Sequence, residues 1–157
     1  MGLIFICVYL FGFLGTLLYF LLYLVSPEVP SWVSDSLILI LRCGAVGGVG
    51  GVLYCLRSVY LNKCVHNRWD SDWYIWYVIR PIASVVCGGI SYLFLKAGLL
   101  ILDASKDQAS NDIGLYALAF IAGLNVDKFL LKIEEIGNAA WGVDKSRNAK
   151  ANDDKGN

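Results

Sequence analysis

Leu3 to Val25 is an apolar run without a charge, long enough for the hydrocarbon core of a bilayer, which takes about 20 helical residues. No Lys or Arg precedes it, and it exceeds the roughly 7–15 apolar residues of a signal peptide, so it reads as a span. Ile6 stands where an N-myristoylated chain needs Ser or Thr. The segment SPEVPSWVSD (26–35) follows as a turn. Its two prolines end the first helix, and Ser34 or Asp35 caps the next. Ser36 to Leu56 is a second apolar run, interrupted by Arg42, and a basic, aromatic loop is expected over Arg57 to Asp72. The third run covers about Trp73 to Leu102, with Pro81 set to kink it or to sit in its first turns.

A fourth element is less regular. Ile113 to Val126 is apolar but only fourteen residues long, short for an independent span. Beyond it Val126, Phe129, Ile133, Ile136 and Ala140 keep helical spacing, while Lys128, Lys132, Glu134 and Glu135 occupy other positions. The expectation is one long helix over roughly Asp112–Ala140, its first part in the membrane and its second an amphipathic stalk. A re-entrant or interfacial segment is the alternative. The fold class expected is therefore all-α: a polytopic membrane protein with spans at about 3–25, 36–56, 73–102 and 112–126, the last continuing to 140. Residues 1–141 form this one domain, and 142–157 form a polar tail with no apolar anchor, expected to be disordered.

Composition agrees. Of 157 residues 57% are hydrophobic and 17% charged, against roughly 25% charged in soluble domains. Formal net charge is zero, so no global field recruits nucleic acid. Lys and Arg fix the expected orientation. The first loop has none, the second has Arg57, Lys63 and Arg68, the third has Lys106, and the C-terminal segment has six. Both termini and loop two are then cytoplasmic in a plasma (inner) membrane. Trp69, Trp73, Tyr74, Trp76 and Tyr77 form an aromatic belt at that interface.

Candidate chemistry is sparse. The second span reads CGAVGGVGGVLYC, with Gly44 and Gly48 four apart and Gly47 and Gly51 likewise. Such spacing lets a second backbone approach closely, and lipid supplies no hydrophobic drive to replace that packing. Ala83 and Cys87 extend the pattern on span three, and Ala119 and Gly123 on span four. These positions serve packing within one bundle, a subunit interface, or both. Arg42, Arg80 and Lys96 lie inside apolar runs, and spans one to three hold no acid to neutralise them. Arg42 is seven residues from Asp35, about 10 Å inside the outer end at 1.5 Å per residue. Snorkelling to headgroup phosphates, pairing across helices, a cationic ring in an oligomer, and a basic pocket for an anionic lipid headgroup are all open to these residues. The cytoplasmic seam Val126, Phe129, Ile133 and Ile136 spans two heptads. It fits assembly about an axis, packing against loop two, or contact with the inner leaflet.

His66 is the sole histidine, and with Cys64 it makes no metal set. No nucleophile motif or phosphate loop occurs, so neither an enzyme nor a cofactor is expected. The odd set of Cys7, Cys43, Cys55, Cys64 and Cys87, with no Cys-x-x-Cys, reads as apolar filler rather than as disulfides.

Two segments, WYIWYVIRPIASVVCGG and FIAGLNVDKFLLKIEE, resemble parts of small bacterial four-span inner-membrane proteins of unassigned function, over roughly residues 69–136. The resemblance implies a bacterial inner-membrane location and a pairing of the third span with the helix after it. Some proteins of that kind are encoded beside anti-phage or toxin-like partners, which implies permeabilising or sensing the membrane. The function expected is a homo-oligomeric small channel or membrane-perturbing element, in contact with membrane lipids. The alternative is a non-conducting anchor or regulatory subunit that binds a cytoplasmic protein through loop two and the C-terminal helix.

Overall fold

A computed structural model describes residues 2–26, 33–65, 73–102 and 108–141. The expected disordered tail, His66 and the rest of loop two, and the loop around Lys106 lie outside the described residues. Every described element is helical: α1 (Gly2–Val25), α2 (Asp35–Tyr60) prolonged by a π-helical turn (Leu61–Val65), α3 (Tyr74–Leu102), α4 (Gln108–Leu124) and α5 (Val126–Trp141). Three helices are long and apolar enough to cross a membrane, or four if the bent pair α4–α5 counts as one span.

Helix α2 begins where the capping chemistry places it. The Ser34 side chain accepts a hydrogen bond from the Leu37 backbone N–H, and Asp35 lies in the first turn, favourable to the helix dipole. Its other end corrects the sequence reading, because the chain stays helical from Arg57 through Val65 instead of entering a loop. The polar residues there form a helical face. Ser58 and Asn62, four apart, both reach the Tyr77 hydroxyl on α3, at 3.1 and 3.2 Å. Pro81 lies inside α3 and is buried. It removes the bond that a residue there would donate to the carbonyl of Tyr77.

Helix α2 is the hub, and its glycines are the reason. A Cβ at Gly47 would stand 2.7 Å from Gly88 Cα and 2.8 Å from the Ser84 carbonyl oxygen on α3, and 3.1 Å from the Ala119 carbonyl oxygen on α4. At Gly123 the same atom would run into the Gly47 backbone. Three backbones therefore meet at one level with no side chain between them, as small-residue packing in lipid allows. Ser84 fastens the junction, its hydroxyl lying 2.9 Å from both the Gly123 carbonyl and its own helix's Arg80 carbonyl. Helix α1 covers one side of α2 through Ile6, Leu10 and Leu17, and leaves Ile4, Phe5, Val8, Phe11, Tyr19 and Leu22 exposed. Such a row is compatible with a helix that faces acyl chains.

The expected continuous helix over Asp112–Ala140 is replaced by two helices bent by 107° at Asn125. Backbone bonds persist around the bend: the Asn125 N–H reaches the Ile121 carbonyl (3.0 Å), and the Phe129 N–H reaches the Asn125 carbonyl (2.9 Å). The bend falls where the apolar pattern changes from the glycine-bearing α4, locked against α2, to the amphipathic α5. Continuing straight would pull Val126, buried at 3% exposure, away from the bundle and break the contact of Asp127 with α3.

Candidate functional site

Among the described residues, a polar and aromatic arrangement assembled from three helices surrounds Arg80. Arg80 lies on α3 one turn past Trp76 and is 4% exposed. Its guanidinium sits over the Tyr54 ring of α2, 4.7 Å from the centroid, and near the Trp76 ring at 5.4 Å. Nη1 donates to the carboxylate of Asp127 in the first turn of α5, whose side chain is 74% exposed. Nε and Nη2 are buried without a hydrogen-bond partner, so the aromatic faces supply their stabilisation. Of the options open to Arg80 from sequence, the structure takes pairing across helices. Its partner lies 47 residues along the chain, beyond the third span. The aromatic group continues through Trp73–Trp76 and Trp76–Tyr77 edge contacts, at 6.0 and 5.1 Å between centroids. One cation thus ties α2, α3 and α5 together, and Asp127 also favours the α5 N-terminus electrostatically.

The other two cations are placed differently. Arg42 is half-buried, and its Nη2 donates 2.6 Å to the Leu24 carbonyl at the end of α1, while Nε is buried and unpartnered. Lys96 is exposed and, among the described residues, reaches back to Tyr92, 3.2 Å from the hydroxyl and 5.5 Å from the ring centroid. The three do not converge on a common site.

The small-residue positions do converge. Gly44, Gly47, Gly48 and Gly51 all face neighbours of the same chain: Val85, Gly88, Leu17 and Ser84 in turn. Cys87 and Ala119 are buried, Gly123 abuts Gly47, and Ala83 is half-buried at the edge. On α5, Val126 is buried, Phe129 and Ile133 are half-buried, and Ile136 is exposed at 43% and Leu130, a turn and a half earlier, at 49%. The seam therefore starts under the bundle and runs out from beneath it.

Sequence reasoning did not reach Asp127, Tyr54 or Ser84. Asp127 is the first acid after the apolar run, which is a weak signal. The serine carried none beyond its place beside Ala83. Among the described residues no cluster of His, Cys, Asp or Glu could hold a metal ion. No known family model, curated protein or solved structure matches this chain.

Proposed function

We propose that this chain is a multi-pass membrane protein whose bundle is complete in one copy. In this reading it is a non-conducting anchor or regulatory subunit of a bacterial inner membrane, with both termini cytoplasmic. Helix α5 lies along the cytoplasmic leaflet and, with loop two, receives a partner protein. The observation that carries the reading is the fate of the glycine face. The small residues that an oligomer axis would use are filled by α3 and α4 of the same chain, whereas α5 turns away by 107° with its apolar face half covered. Charges along α5 are nearly balanced (Asp127, Lys128, Lys132, Glu134, Glu135), so recognition there rests on shape and apolar contact.

The test is the mass of the purified chain in lipid nanodiscs, together with recovery of a stoichiometric partner from its native membrane. A monomer that loses its partner when residues 128–141 are scrambled, and keeps it in Arg42→Glu, supports the anchor. A homo-oligomeric channel remains the second reading because Gly12 and Gly15 on α1 meet nothing within 4 Å, leaving a small-residue face for another copy. A discrete oligomer whose ion flux in vesicles is abolished by Arg42→Glu replaces the anchor with the channel.

A further inference from the structure

Helix α4 turns into α5 by 107° over a sequence that holds no proline. Sharp bends have few causes, among them a side chain inserted into the i→i−4 ladder of the helix. The inserted group here is Ser84 of α3. In a continuous helix the Gly123 carbonyl accepts the N–H of residue 127. At the elbow it accepts the Ser84 hydroxyl, at 2.9 Å. Asp127 itself turns its carboxylate to the Arg80 guanidinium, and Arg80 lies one turn before Ser84 on α3. Two side chains on one ridge of α3 therefore hold both sides of the elbow. Around it the bonds stay those of a helix, from the Asn125 N–H to the Ile121 carbonyl and from the Phe129 N–H to the Asn125 carbonyl. The bend is imposed from outside on a segment whose own pattern is helical throughout.

The bond at Gly123 is also replaceable. A hydroxyl has one proton to donate. That of Ser84, fully buried, has two acceptors at the same distance of 2.9 Å, the carbonyls of Gly123 and of Arg80 on its own helix. When α5 swings into line with α4, the Gly123 carbonyl takes the Asp127 N–H and the Ser84 proton goes to the Arg80 carbonyl, so neither group loses its partner. What the bent form holds over the straight one is the Arg80–Asp127 pair and the burial of Val126. We infer that the α4–α5 elbow is a two-position hinge, latched in the bent position by Arg80 and Ser84 and free, once the latch is off, to straighten into one helix. Straight, it presents Val126, Phe129, Ile133 and Ile136 as a continuous stalk. Bent, it keeps Val126 under the bundle. A ligand of either form shifts the balance by its preference between the two. The hinge does not depend on the partner assigned to α5, because every group in it belongs to this chain.

The test is double electron–electron resonance on the full chain in nanodiscs, with spin labels carried by noncanonical residues at Ile113 and Ile136, both exposed. At 1.5 Å per residue these sites stand about 20 Å apart across a 107° bend and about 34 Å apart along one helix. The unaltered chain should give a distribution centred on the shorter distance. Asp127→Asn should raise the fraction at the longer distance about tenfold, as the loss of one hydrogen bond to a charged group implies. Ser84→Ala removes no charge and should raise it roughly threefold, the worth of an average hydrogen bond between membrane helices. Adding Lys128→Pro should return either variant to the shorter distance, since proline is tolerated in the first turn of α5 and breaks a helix that runs through it. Growth of the longer population in both variants, and its loss with Lys128→Pro, supports the hinge. A distance that stays near the shorter value in either variant overturns it. So does a longer population that Lys128→Pro leaves in place, because α5 has then come loose without joining α4.

Discussion

A methyl group added at Gly47 tests the three-backbone junction directly. Its nearest neighbours are Gly88 Cα at 2.7 Å, the Ser84 carbonyl oxygen at 2.8 Å and the Ala119 carbonyl oxygen at 3.1 Å, while ordinary contact begins near 3.4 Å. Helix α3 must therefore retreat by about 0.7 Å and α4 by about 0.3 Å, and no rotamer relieves either clash because the obstacles are backbone on two helices. Overpacking of this kind costs about 1–3 kcal/mol, and separation also weakens dispersion contacts along the whole ridge. Alanine gains up to ~1 kcal/mol over glycine in helix propensity. Less of that applies when the denatured chain stays helical in detergent. Gly47→Ala should thus destabilise the bundle by about 1–2 kcal/mol. Gly12→Ala, with nothing within 4 Å, should be neutral or stabilise by up to ~1 kcal/mol. The assay is titration of the purified chain in mixed micelles with dodecyl sulfate, followed by tryptophan fluorescence. Equal midpoints for the two variants would refute the backbone junction.

Ser84→Ala removes the hydroxyl bond to Gly123 and should lower stability by about 0.6 kcal/mol, the average for hydrogen bonds between membrane helices, and by no more than ~1.7 kcal/mol, in the same titration. Asp127→Asn leaves Arg80 buried without its carboxylate. The loss should be about 1–2 kcal/mol, between surface and buried charge pairs, with α5 swinging away from α3 in spin-label distance measurements between Tyr60 and Ile136 positions. Tyr77→Phe deletes the hydroxyl that Ser58 and Asn62 share. Amide exchange should then rise over 58–65 while α1 is unaffected.

The first three helices were legible because a single physical quantity decides them, the length of uninterrupted apolar chain. That the glycine ridge of Gly44, Gly47, Gly48 and Gly51 suits close approach of another backbone could be read from its spacing, and at Gly47 the neighbour is the backbone of α3. Their destination was not legible. A ridge reads the same whether it meets its own chain or another copy, and only the position of α4 assigns it. The helix end at Val65 was hidden because Ser58 and Asn62 look like loop residues until Tyr77 is set opposite them. The bend at Asn125 was hidden because neither a proline nor a loss of helical spacing marks it. Val126 continues the apolar series on both sides, so the periodicity that identifies a helix cannot tell one axis from two.

The three cations inside apolar runs show why charge in such a run has no single meaning. Their sequence surroundings are alike, yet Arg80 is 4% exposed, Arg42 half-buried and Lys96 exposed. What separates them is what the neighbouring helix offers at the same height. Opposite Arg80 stand two aromatic rings and, after the α4–α5 bend, a carboxylate, so desolvation is repaid locally and the guanidinium becomes a tie between helices. Beside Arg42 stands the last turn of α1, where the Leu24 carbonyl accepts a hydrogen bond from Nη2. Lys96 has its own Tyr92 and open surroundings, the geometry of a snorkelling side chain. The bend at Asn125 and the burial of Arg80 are then one feature, since straightening α4 into α5 removes Asp127 and leaves a buried charge unpaired. Arg42, in contrast, meets a backbone carbonyl and, among the described residues, no carboxylate, so it ties α2 to the end of α1 without forming a charge pair there.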